Sequence, residues 1–75
     1  MKGNMEYRYS IQWRAHGASQ EVQLTMPRCG QGLAMCDYDA IKAAEGLDNI
    51  KYALLLRADM SGVNRDKFFL HQILK

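Results

Sequence analysis

The chain is poor in the residues that make covalent or metal scaffolds. Its 75 residues include one proline, Pro27, and two cysteines, Cys29 and Cys36. A disulfide framework needs more thiols than that. The C-x6-C spacing, with His16 upstream and His71 far downstream, matches no common zinc pattern. Reduced thiols are therefore expected, with Cys36 packed as a small apolar side chain and Cys29 in a loop. No metal or other cofactor is expected. Long apolar runs are missing too. The longest is Tyr52–Leu56, far below the roughly 20 residues of a membrane-spanning helix, and the opening MKGNMEYR holds no signal-type apolar segment. The expectation is a soluble, cytoplasmic protein with no membrane attachment. Nor is there a strong excess of one charge: ten Lys and Arg against eight Asp and Glu give a net +2, short of the dense positive charge of a dedicated nucleic-acid binder.

Catalytic signatures are equally scarce. The segment CGQGLAMC lacks the lysine and hydroxyl residue of a phosphate-binding loop and the third glycine of a dinucleotide fingerprint. Asp37 and Asp39 are accounted for by helix capping and the helix dipole. A chain this short buries only about 60–65% of the surface its unfolded form exposes, and its stability is about 4–11 kcal/mol. An enclosed active site is difficult to build on such a core, so a non-enzymatic role is expected.

What is present is patterning. In MEYRYSIQWRAH, the odd positions Met5, Tyr7, Tyr9, Ile11, Trp13 and Ala15 share one side of an extended strand, and Arg8, Ser10, Gln12, Arg14 and His16 share the other. The apolar side belongs to the core, with Trp13 mostly buried. GASQ at 17–20 is a turn-type stretch, and Val22, Leu24 and Met26 then alternate until Pro27 ends the second strand.

A helix follows over CDYDAIKAAEGL, capped by Asp37 and closed by Gly46, with Ile41, Ala44 and Tyr38 as its buried stripe. NIKYALLLRAD supplies a third strand. Its alternation places Ile50, Tyr52, Leu54 and Leu56 on one side and Lys51, Ala53, Leu55 and Arg57 on the other. VNRDKFFLHQILK reads as a closing helix with Asn64 as its cap and Phe69, Leu70, Ile73 and Leu74 in one stripe; a fourth strand over 67–74 is the alternative.

The expected fold is a single α+β domain over residues 1–75, with 1–4 as a flexible tail. Its element order is β-β-α-β-α, with a small, mainly antiparallel three-stranded sheet of order 2-1-3 and both helices on one face. The opposite face is then uncovered. It is expected to display Arg8, Gln12, Arg14 and His16 from the first strand and Lys51, Leu55 and Arg57 from the third.

Those seven residues are the candidate partner-binding site, a cationic surface holding one apolar side chain. The expected function is a non-catalytic protein-binding module, an inhibitor or adaptor that occupies an acidic surface of a larger protein or complex. Short phage-encoded inhibitors of host defence systems are of this size class. Nucleic-acid binding, to RNA or DNA, through the same basic sheet face is the alternative. It is weakened because Tyr7, Tyr9 and Trp13 share the core phase instead of the open one. Exposed backbone at an edge strand also allows a homodimer.

Overall fold

The structure, a computed structural model, describes residues 7–24, 26–60 and 66–75. Among these the chain forms one antiparallel sheet of five strands and one α-helix: β1 (Tyr7–Ala15), β2 (Val22–Gln23), β3 (Arg28–Cys29), α1 (Gln31–Glu45), a 3-10 turn (Leu47–Asn49), β4 (Ile50–Asp59) and β5 (Phe69–Ile73). The order is β2-β1-β4-β5, with β3 beside β2 on the same flank of β1. The expected 2-1-3 arrangement is present as β2-β1-β4. The expected tail at 1–4 and the Asn64 cap lie outside the described residues.

Two elements differ from expectation. The C-terminal segment is a strand: β5 pairs with β4 through Leu54–Ile73, Leu55–Gln72, Leu56–Leu70 and Arg57–Phe69. A helix there would leave the outer edge of β4 without hydrogen-bond partners, and β5 supplies them. The second strand is broken around Pro27, which has no amide to donate. Between the pairs Gln12–Gln23 and Arg8–Cys29, four steps along β1 face six along its partner, so two extra residues are accommodated in the interruption.

The helix begins earlier than expected, at Gln31 behind Gly30, whose φ is 89°, with no side-chain cap. Asp37 therefore sits inside the helix, where it pairs with Arg28 on β3 at 3.0 Å. Gly46 does close the helix, at φ 86°, donating its amide to the Lys42 carbonyl at 2.9 Å. Ala34, Tyr38 and Ile41, spaced four and three residues apart, form the stripe that meets the sheet, and Ala44 is exposed.

The core is Tyr9, Ile11, Ala34, Tyr38, Ile50, Ala53 and Leu55, with Trp13, Leu24, Met35, Ile41 and Leu74 packed around it. The odd residues of β1 thus face the helix, as their alternation requires. Trp13 is half-buried instead of mostly buried.

On β4 the side assignment reverses. Leu55 lies opposite Ile11, Ala53 opposite Trp13 and Arg57 opposite Tyr9, and directly paired residues share a face. Leu55 therefore belongs to the core and is completely buried. A register shift near Arg14 and Ala15 lets Ile50 and Leu55, of opposite parity, both point inward.

Candidate functional site

The helix covers one side of the sheet, and no described helix lies on the other. That open face is built from Arg8, Ser10, Gln12 and Arg14 on β1 and from their direct partners Ala58, Leu56, Leu54 and Tyr52 on β4; Ser10, Leu56 and Ala58 are buried and the other five partly exposed. On β5, Leu70 sits opposite Leu56 and Ile73 opposite Leu54. Across the strands the face passes from a polar column to two aliphatic ones.

The polar column is already engaged. The Arg8 guanidinium pairs with Asp66 at 3.3 Å and lies 5.6 Å from the Phe68 ring centroid. Ala58, the β4 partner of Arg8, is 1% exposed. Ser10 donates its hydroxyl to the Leu24 carbonyl at 3.3 Å, satisfying a buried polar group on the β2 side of β1. At the far end Arg14 donates from Nε to the Ala18 carbonyl at 2.8 Å, bracing the turn around Gly17. The Gln12 amide and the Tyr52 phenol both donate to the Glu21 carboxylate. The Tyr52 hydrogen bond, then that of Gln12, with the nearby Arg14 charge, holds the Glu21 carboxyl below its usual range, and Glu21 in turn pushes the Tyr52 phenol up.

The seven candidate residues are accordingly divided. Arg8, Gln12 and Arg14 occupy the open face as expected. Leu55 is inside the core, which corrects its assignment to the contact surface. Arg57 is on the helix side, its guanidinium 4.3 Å from the Tyr7 ring centroid, so it does not join the other two arginines. Lys51 stands exposed at the β1–β4 register shift, and His16 is exposed just past β1, its amide donating to the Asn49 carbonyl at 2.8 Å.

Alternation alone missed Leu54, Leu56, Leu70 and Ile73, which make the open face aliphatic. Leu70 and Ile73 keep 58% and 66% of their surface exposed, whereas Leu56 is 7% exposed. The signal was the run Ala53–Leu56, apolar on both phases, which a strand with one fully solvated side would not carry.

Elsewhere, an open groove of about 370 Å³ separates α1 from the β2–β3 segment, walled by Leu24, Met26, Ala40 and Ile41 with the Arg28–Asp37 pair at its margin. Cys29 and Cys36 are free thiols. Cys36 is exposed rather than packed, and Cys29 lies on β3 with its sulfur 3.8 Å from that of Met60. Among the described residues no group of three or more His, Cys, Asp or Glu is placed to hold a metal ion, and no helix is long and apolar enough to cross a membrane. Comparison with protein-family models, curated proteins and solved structures gives no match to this chain.

Proposed function

We propose that this chain is a non-catalytic protein-binding module, an inhibitor or adaptor that lays its open sheet face against a larger protein. The observation that carries the reading is the aliphatic cluster of Leu54, Leu56, Leu70 and Ile73 on the face where no described helix lies, with Leu70 and Ile73 more than half exposed and Leu56 buried. Apolar side chains gathered on one exposed surface gain free energy when a partner removes them from water, unlike scattered ones.

Arg8 and Arg14 stand at opposite ends of this cluster. The Asp66 partner of Arg8 is 86% exposed at its side chain, and such surface ion pairs contribute only about 0–1 kcal/mol. Exchanging Asp66 for a carboxylate of the partner therefore costs little. The partner surface that fits is apolar at its centre and acidic at its rim. Binding of nucleic acid draws less support, because Arg57 is turned to the helix side and Tyr9 and Trp13 pack on the core.

The test is affinity capture of the tagged protein from its native cell, with nuclease treatment in parallel, comparing wild type with Leu54→Asp and Arg8→Glu. Circular dichroism confirms that each variant is folded. Partner recovery should fall about tenfold or more in the variants, as for the loss of a central contact, and should withstand nuclease. Undiminished capture by both folded variants, or capture abolished by nuclease, refutes the reading.

A further inference from the structure

The outer edge of β5 supports an inference that does not depend on the proposed partner. β5 ends the strand order, so among the described residues no strand pairs with its outer side. Edge strands are commonly protected by charges, proline or a bulge; of these, β5 has only the register shift in its pairing with β4. From Phe68 to Leu74 the chain has no Lys, Arg, Asp, Glu or Pro. Phe69, Leu70 and Ile73 are 60%, 58% and 66% exposed.

The sidedness of this strand is unusual because of its register shift. Phe69 and Gln72 lie opposite Arg57 and Leu55, which face the helix. His71 faces the same way, its ring in edge contact with Tyr9 at 5.6 Å, and Leu74 packs on the core. Leu70 and Ile73 lie opposite Leu56 and Leu54 on the open face. From Phe69 to Leu74 the sides therefore read helix, open, helix, helix, open, helix. That pattern is unchanged by a two-fold rotation about the point between His71 and Gln72. Centring the axis on either of those residues, or moving it one residue along the strand, sets open-face side chains against helix-face ones.

We propose that β5 pairs antiparallel with β5 of a second copy of this chain about that axis. Leu70 then faces Ile73 of the second copy, and Ile73 its Leu70, extending both aliphatic faces into one. Phe69 faces Leu74, and His71 faces Gln72. No charged side chain is brought against its like, and a net charge of +2 per chain opposes the approach only weakly. The contact is one short strand and a few side chains, below the roughly 1,200–2,000 Å² of a standard interface. The dimer is accordingly weak, with a dissociation constant on the order of 100 µM.

Sedimentation equilibrium on the purified chain from about 1 µM to 1 mM should show reversible dimers at the upper end, and Ile73→Lys or Leu70→Lys should remove them. In a Cys29→Ser, Cys36→Ser background, a mixture of Leu70→Cys and Ile73→Cys proteins under oxidised glutathione should form the mixed disulfide dimer. A chain monomeric throughout, lysine variants that dimerise unchanged, or His71→Cys protein linking to itself faster than the mixed pair forms would overturn the proposal. A monomer that still captures its partner refutes the pairing and leaves the proposed function standing. A dimer that captures nothing does the reverse.

Discussion

Leu55 shows how a single side chain decides what the sheet can offer. Completely buried opposite Ile11, it should lower the unfolding free energy by about 2–5 kcal/mol when replaced by alanine. That is a large part of the roughly 4–11 kcal/mol available to a chain of this length. Urea unfolding of Leu55→Ala measures it, and a loss near zero would return Leu55 to the contact surface. Glu21 illustrates a different kind of dependence. Its carboxylate accepts hydrogen bonds from Tyr52 and Gln12, which hold its pKa below 4.5. The folded state favours the ionised form, so this contribution is complete above the ordinary carboxylate range and is lost as pH falls through the lowered value. Tyr52 behaves in the opposite sense. Its pKa is raised above 10.0 by Glu21, so its contribution is present below the ordinary phenol range and is lost as pH rises through the raised value. Carbon-detected NMR titration should place the Glu21 midpoint below 4.5 and the Tyr52 midpoint above 10.0; a Glu21 midpoint at or above its ordinary value would deny the bridge.

Gly32 within α1 and Gly46 just past its end have opposite consequences. Gly46 has a φ of 86° with open space around any added Cβ, whereas Gly32 is helical with equally open space. Gly46→Ala should therefore cost about 1–3 kcal/mol of backbone strain, and Gly32→Ala should gain about 0.5–1 kcal/mol by restricting the unfolded chain. Thermal unfolding of the two variants should show shifts of opposite sign. Legibility in the sequence also varied by element. β1 announced both its strand form and its buried side, because large and polar residues alternate without a break from Tyr7 to Arg14. β4 announced its form but not its side. Ala53–Leu56 is apolar in both phases, and the register shift lets Ile50 and Leu55 both point inward, so parity carried no information there. β5 was obscured for a related reason: with His71 and Gln72 both facing the helix side, its hydrophobic positions mimic helical spacing. The candidate site inherited these gaps. Arg8, Gln12 and Arg14 were legible from β1, while the aliphatic half contributed by β4 and β5 was not.

At the scale of the whole molecule, the described residues form a two-layer structure with one α-helix for two sheet faces. A helix of 15 residues packs on β1, β3 and β4, and the C-terminal segment expected as a second helix on the same face lengthens the sheet instead. The result differs from the expected three-stranded domain in how it can associate. Its two edges are unlike each other. On one flank β2 and β3 are two residues each, separated by Pro27 and out of step by two positions, so an incoming strand finds no continuous ladder. On the other, β5 runs from Phe69 to Ile73 with one register shift, and its sides match in the two-fold pairing proposed above. Head-to-tail addition, which joins unlike edges and propagates into fibres, has no usable second edge here. If β5 pairs as proposed, sheet growth is self-terminating: the pairing consumes that edge on each copy and ends in a closed pair rather than a filament.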